Sequence, residues 1–236
     1  MAHRVPCEAS AVRSRILFVA KSDGVGGVER KIAGLVSTLA ERHVVCDLVT
    51  LAHGAGPGLL VHISKTVLEV RVSSGPIRRL LQLFRLRRII AANRYDAVIG
   101  FGPSSNALVA LANRSRGPQA VIVEVGDPFI ERRRHWNRWW MWSYRRADVI
   151  VVLTDRLASE LRAVRSRPRR IVVIPNMVAP TVPFVDPARP RQLVVAGLGR
   201  LVQSKRYSDL IEAFARLGPS AEQWRVVLIG DGEDRL

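Results

Sequence analysis

Gly199-Arg200-Leu201-Val202-Gln203-Ser204-Lys205 stands between an apolar run at residues 192–196 and an amphipathic stretch at 207–217. Strand, tight turn and helix is the order this implies, with two cations at the mouth of the turn. A diphosphate can be held at such a place, because helix N-termini and fixed cations both favour anions. A second glycine-rich turn, Gly24-Val25-Gly26-Gly27-Val28-Glu29, follows an apolar run at 16–20 and opens a helix. Two such turns, one in each half of the chain, point to a cleft-type protein that handles a nucleotide-activated group.

Outward from these turns, short apolar runs alternate with helical periodicity, which predicts a parallel α/β sheet. Strands are expected at 16–20, 44–51, 67–72, 97–101, 120–124, 149–153 and 171–174. Helices are expected at 27–42, 77–93, 106–112 and 155–164. In the second of these, Ile77, Leu80, Leu81 and Phe84 are read as the inner stripe, with Arg78, Arg79, Arg85 and Arg88 largely outside it. Residues 175–190 hold Pro175, Pro180, Pro183, Pro187 and Pro190. Proline resists both helix and sheet, so a linker is expected there. The pattern then restarts: strand 192–196, helix 207–217 and strand 224–229 make one β-α-β unit. The expected organisation is a polar tail at 1–14, a Rossmann-like domain at 15–178, a linker at 179–190 and the start of a second Rossmann-like domain at 191–236.

The chain carries 37 Lys and Arg against 20 Asp and Glu, a formal net charge of +17. Only Lys21, Lys31, Lys65 and Lys205 are lysines, so an arginine-favouring genome accounts for part of this. Anionic lipid, a diphosphate-bearing substrate and nucleic acid are the partners such charge attracts. No stretch approaches the ~18–20 apolar residues of a membrane span. The polar N-terminus lacks an apolar export core. Cys7 and Cys46 make neither a disulfide framework nor a metal site, a usage that fits a reducing cytosol. Neither His43 nor His135 has a metal-ligand partner at useful spacing.

Gly24–Glu29 departs from the dinucleotide fingerprint, since Glu29 occupies the place of the third glycine. Asp47 falls inside a strand, a poor position for a ribose contact. A tight turn without a ligand stays open for this stretch, as do solvated loop cations for Arg200 and Lys205. Four of the five tryptophans lie within Glu131–Arg146, among six arginines. On a helix Trp136, Trp139 and Trp140 share a face. With Arg133 and Arg134 they are candidates for contact with an anionic membrane surface. The alternative is a helix whose indoles pack on the sheet. Aromatic and arginine residues also suit single-stranded nucleic acid, but no recognition motif accompanies them and nucleic acid is not expected as a partner.

The stretch from Gly199 to Tyr207, followed by Leu210-Ile211-Glu212-Ala213-Phe214, resembles the donor-binding signature of glycosyltransferase family 4. Val227-Leu228-Ile229-Gly230-Asp231-Gly232 is similar to that family's next strand and turn. Ile174-Pro175-Asn176-Met177-Val178 resembles its Ile-Pro-Asn-Gly-Val segment, with Met177 in place of glycine. Ala147 to Thr154 resembles the strand before it, and Gly26-Gly27-Val28-Glu29 its N-terminal glycine loop. Gly100-Phe101 through Asn106, then Glu124 to Pro128, resemble a branch reading Ser-Phe…Asn and Ser-Glu-Arg-Asn-Asp-Pro, with Val125 replacing the arginine. The order and spacing of these motifs together carry the resemblance, from about residue 15 to 236.

The resemblance implies a GT-B fold: a Rossmann-like N-terminal parallel sheet with helices on both faces, plus one β-α-β unit of a second, incomplete Rossmann-like domain. It implies a retaining glycosyltransferase that uses a nucleotide-diphosphate sugar, uridine- or guanosine-linked, without a metal or other cofactor. By motif, Arg200 and Lys205 would neutralise the leaving diphosphate, and Gly199 belongs to the same donor site. Gly26 and Gly27 would let the N-terminal loop close over it. Glu29, Asn106, Glu124 and Asp127 are candidate substrate contacts. The acceptor would be a glycan or a lipid-linked molecule, and the setting the cytoplasmic face of a bacterial membrane. The family's spaced pair of glutamates, which would hold the donor sugar and ribose, lies beyond Leu236. The chain is therefore expected to be a fragment or a truncated product that binds donor poorly unaided.

Overall fold

In the computed structural model of the chain, residues 14–21, 27–51, 67–69, 78–113, 117–125, 144–163, 169–177 and 192–235 are described. The chain divides into two compact units, Met1–Val178 and Ala179–Leu236.

The first unit is built on seven parallel strands in the order β3-β2-β1-β4-β5-β6-β7. They are β1 Arg15–Ala20, β2 Val45–Thr50, β3 Val67–Glu69, β4 Ala97–Phe101, β5 Gln119–Val123, β6 Val149–Val152 and β7 Ile171–Val173. Four helices are described between them: α1 Gly27–Glu41, α2 Arg78–Ala92, α3 Pro103–Ala112 and α4 Asp155–Ala163. Alternation within β1 shows how the sequence makes three layers. Leu17 and Val19 point to one face, where Leu86, Leu108, Val109, Leu157 and Leu161 bring in α2, α3 and α4. Phe18 and Ala20 point to the other, where Ile32 and Val36 of α1 meet Leu48 and Phe101. A strand covered on both sides in this way is apolar along its buried length, and Leu17, Phe18 and Val19 are all fully buried.

Local signals set the helix ends. α1 closes with His43 in the left-handed conformation at φ 60. The amide of His43 donates to the Ala40 carbonyl, and that of Val44 to the Leu39 carbonyl, both at 3.0 Å. This double closure satisfies carbonyls that the helix end would otherwise leave bare.

The predicted inner stripe of α2 is corrected by the structure. Leu80, Leu81 and Phe84 are exposed, while Gln82 and Leu86 are buried and Leu83, Ile89 and Ile90 pack on the core. The Arg87 guanidinium donates to the Leu111 carbonyl at 3.0 Å, tying α2 to α3. Ile77 lies outside the described residues.

The second unit holds two parallel strands, β8 Val194–Leu198 and β9 Arg225–Ile229. They are joined through a 3-10 turn at Gln203–Lys205, helix α5 Tyr207–Ala215 and a second 3-10 turn at Gly218–Ala221. β8 begins two residues later than the sequence predicts. No residue of α5 is buried.

Candidate functional site

The first unit reverses its strand order between β1 and β4. Connections run outward from β1 to β2 and β3, then return to β4 and proceed the other way. In a doubly wound sheet the crevice for a ligand opens at that reversal, at the carboxyl ends of the strands. Register puts Ala20 beside Phe101, and Phe101 beside Val123. The Gly102 turn into α3 and Glu124 therefore lie along one edge, the one that Ala20 at the end of β1 also marks.

Gly27 opens α1, and a Cβ there would meet nothing within 4 Å. Glu29 is buried in the helix's first turn, where a carboxylate complements the amino-terminal dipole. Gly102 caps α3 at φ 81, a conformation that favours glycine. Gly100 is required by close approach instead. A Cβ there would lie 2.9 Å from Asn106 Oδ1 and 3.1 Å from Asn106 Cα, so α3 can rest on β4 only over a glycine.

Asn106 and Glu124, candidate substrate contacts by motif, are 0% and 1% exposed. The Asn106 amide donates to Glu124 Oε1 at 2.9 Å and to the Val123 carbonyl at 3.0 Å. The Tyr144 hydroxyl donates to the same Glu124 oxygen. The Glu124 amide donates to the Val151 carbonyl at 2.9 Å. In this arrangement the two side chains hold the end of β5 against α3 and do not face solvent, so they are positioning groups here. Tyr144 was missed by the sequence reading. It sits at the end of the tryptophan–arginine stretch, where its spacing gives no sign that it turns inward. Asn106 Oδ1 and Ser105 Oγ are buried without a hydrogen-bond partner.

Asp47, set aside as a ribose contact, has a structural role. Arg15 reaches it with Nε at 2.9 Å and Nη2 at 2.7 Å, and the Tyr95 hydroxyl donates to Oδ2 at 3.0 Å. Burial, and then the bond to the Asp47 carboxylate, push the Tyr95 phenol well above its ordinary range. Burial and the charge of Asp47 also raise the Cys46 thiol.

In the second unit the strand-to-helix turn is shaped by glycines. A Cβ on Gly197 would come within 2.8 Å of the Tyr207 ring and of Leu228 Cδ2, and one on Gly199 within 2.8 Å of the Tyr207 hydroxyl. The first residue of α5 therefore lies directly over the end of β8. Beyond the strand the chain stays zipped. The Gly199 amide donates to the Ile229 carbonyl at 3.0 Å, and the Leu201 amide to the Asp231 carbonyl at 2.9 Å. Arg200 is fixed between these two bonds. Lys205 closes the 3-10 turn through its amide to the Val202 carbonyl at 2.8 Å. Arg206, in the left-handed conformation at φ 53, links the turn to α5 and pairs with Asp209. Arg200 and Lys205 are both exposed, and among the described residues neither has a carboxylate partner. The turn thus presents two uncompensated cations on a rigid frame.

Met177 is placed too. A Cβ at Gly34 of α1 would lie 3.3 Å from Met177 Cε, so the segment after β7 touches α1. Gly26, Asp127, Arg133, Arg134, Trp136, Trp139 and Trp140 lie outside the described residues.

A doubly wound parallel sheet followed by a separate β-α-β unit with a cationic turn is the α/β arrangement of GT-B glycosyltransferases. Residues 26–177 match the glycosyl transferase 4-like domain, and the chain belongs to that family. Among curated proteins it is 28% identical over 215 residues to a lipopolysaccharide core biosynthesis glycosyltransferase, LpsE, of Rhizobium meliloti, covering 89% of this chain and 58% of the relative. It is also 28% identical over 131 residues to the 2-deoxystreptamine glucosyltransferase of Streptomyces kanamyceticus, covering 50% of this chain and 32% of that protein. Among solved structures, HepE of Anabaena in complex with UDP and glucose superposes with a TM-score of 0.72 at 20% identity, over 93% of this chain and 62% of that one. The chain spans about three fifths of the length of LpsE and HepE.

Proposed function

We propose that this chain is part of a retaining glycosyltransferase that moves a sugar from a nucleotide-diphosphate sugar to a glycan or lipid-linked acceptor. The observation that carries the reading is the pair Arg200 and Lys205 on the strand-to-helix turn after β8, exposed and, among the described residues, without an ion-pair partner. As the bond from the sugar's C1 to the diphosphate oxygen breaks, the acceptor hydroxyl oxygen bonds C1 and gives its proton to the departing phosphate, on which negative charge grows. Cations fixed beforehand at that point stabilise the transition state more than the ground state. Arg200 offers a planar fork for two oxygens, and Lys205 adds a compact charge. Gly27, with open space around it, leaves room for backbone to approach a phosphate at the start of α1, and Gly26 is assigned a phosphate-binding role from its motif. Glu29 and Asp127 remain candidate contacts to substrate, while Asn106 and Glu124 hold the end of β5.

The names of relatives support the donor class: one is a glucosyltransferase, and HepE was solved with UDP and glucose. LpsE, of lipopolysaccharide core biosynthesis, supports a glycan-building role. We place the work at the cytoplasmic face of a bacterial membrane, with an anionic lipid surface as partner. Among the described residues no helix is long and apolar enough to cross a membrane.

The test is sugar transfer from labelled UDP- and GDP-sugars to a membrane extract, using the product of the full reading frame that encodes this chain. Arg200→Ala or Lys205→Ala is expected to lower the rate by roughly 10²–10³-fold, the scale of losing one preorganised charge contact. Transfer at the wild-type rate in both variants would remove the donor-site assignment.

A further inference from the structure

Arg206 joins the 3-10 turn to α5 in the left-handed conformation, with φ 53 and ψ 40. The chain is fixed on both sides of it. Before it, the Lys205 amide donates to the Val202 carbonyl at 2.8 Å and the Arg206 amide to the Gln203 carbonyl at 3.1 Å. After it, the Tyr207 ring lies over Gly197 of β8. The backbone therefore turns through the left-handed region at residue 206. Glycine does this without strain, whereas a side chain there costs stability. Arg206 also stands at the cap of α5 with no capping hydrogen bond from its side chain, at the helix end that disfavours a cation. What the side chain does form is an ion pair with Asp209, in the first turn of α5. With the two side chains 77% and 50% exposed, such a pair returns little to the fold. Arginine is thus a poor choice for stability at this position, and the contact it makes is with Asp209.

Asp209 follows Lys205 by four residues. Besides Arg206, its carboxylate accepts from the Ser208 hydroxyl at 3.5 Å. Arg200 and Lys205 form no ion pair among the described residues. We propose that Arg206 is a positioning residue of the donor site: it holds the Asp209 carboxylate to itself, so that Arg200 and Lys205 stay free for the diphosphate. A bare carboxylate in the first turn of α5 would draw the nearest cation and repel a phosphate arriving at the same helix end. Arg206 reaches it at i, i+3 spacing, so the pair closes on the helix and leaves the turn alone. A guanidinium does not lose its charge, so the carboxylate stays engaged across the working range of pH. The inference rests on the donor-site reading of Arg200 and Lys205 given above and adds the residue that keeps those two cations available.

The experiment is calorimetry of UDP-glucose and GDP-mannose with the product of the full reading frame, with thermal unfolding recorded for each variant. Arg206→Gly, Asp209→Asn, the two together, and Arg200→Ala are compared with wild type. Arg206→Gly is expected to raise the unfolding temperature or leave it unchanged, yet to weaken binding roughly three- to tenfold, between the loss of an exposed ion pair and that of a bond to a charged group. Asp209→Asn should bind donor as wild type does or slightly tighter. Added to Arg206→Gly, it should restore affinity to within about twofold of wild type. A merely structural role for Arg206 would not give that rescue. Unchanged affinity in Arg206→Gly would overturn the inference. So would a loss that Asp209→Asn does not relieve, which would make Arg206 itself a contact to the donor. A lower unfolding temperature in Arg206→Gly would likewise overturn it, by showing that the fold uses the arginine. Arg200→Ala separates the two levels. If it binds at wild-type affinity, or if wild type binds neither nucleotide sugar, the donor-site reading falls and this inference with it. A loss in Arg200→Ala beside undiminished binding in Arg206→Gly sinks the role of Arg206 alone.

Discussion

Two buried carboxylates, Asp47 and Glu124, organise opposite ends of the first unit. Asp47 sits near the amino end of the sheet, held by Arg15 and Tyr95. Because the fold raises the Tyr95 pKa, it favours the neutral phenol. That contribution is fully present below the unfolded value near 10 and is lost as pH rises toward the folded value. Alkaline unfolding should therefore steepen above pH ~10. Tyr95→Phe should flatten that limb and cost about 1 kcal/mol at neutral pH, read from urea unfolding across pH. Glu124 has the analogous place at the carboxyl end. Glu124→Leu leaves the Tyr144 hydroxyl and one bond of the Asn106 amide without their acceptor. It should destabilise the chain by about 1–3 kcal/mol, whereas Glu124→Gln keeps an acceptor oxygen and should cost less. Equal losses from the two substitutions would contradict the positioning role. Motif similarity singled out both Asn106 and Glu124, as candidate substrate contacts. It did not show that they face each other, because a motif fixes spacing along the chain and not which way a side chain turns.

The elements were legible where burial is two-sided. β1, β4 and β6 are continuous apolar runs, and such runs leave little choice of structure. α2 was misread because its sequence offers two apolar stripes, one through Leu80 and Phe84 and one through Leu83, Leu86 and Ile90. Periodicity finds both and cannot say which the sheet takes. Gln82, a polar residue, lies on the buried stripe and makes that stripe the less uniformly apolar of the two. The glycines separate fold from function. Gly27 has open space around it, so Gly27→Ala should leave the unfolding temperature unchanged or slightly higher, since alanine favours helix by up to about 1 kcal/mol. Donor affinity should nevertheless fall if backbone must approach the diphosphate there. Gly230 behaves in the opposite way. A Cβ would lie 1.8 Å from the Gly199 carbonyl oxygen, so Gly230→Ala must push apart the two segments that fix Arg200. It should destabilise the second unit by roughly 1–3 kcal/mol or more and weaken donor binding with it, both followed on one sample by unfolding and calorimetry.

At the scale of the whole molecule, the parallel sheet and the strand reversal between β1 and β4 follow from the alternation of elements. The two glycine-rich turns are legible from the sequence as strand–turn–helix units, one of them carrying Arg200 and Lys205. What each turn binds was legible only through family likeness, because a glycine-rich turn with cations holds many anions. The charge of +17 does not separate donor, lipid and nucleic acid, but Arg200 and Lys205 are distinguished by lying on a frame zipped to β9 and by forming no ion pair among the described residues. The most direct measurement is calorimetry of UDP-glucose and GDP-mannose binding. It compares the product of the full reading frame that encodes this chain with that product carrying Arg200→Ala and Lys205→Ala together. Saturable binding of a nucleotide sugar by the full product is expected, with at least a tenfold loss in the double variant, the scale of removing two charge-assisted contacts. Undiminished affinity in a folded double variant would contradict the account, as would a full product that binds neither nucleotide sugar.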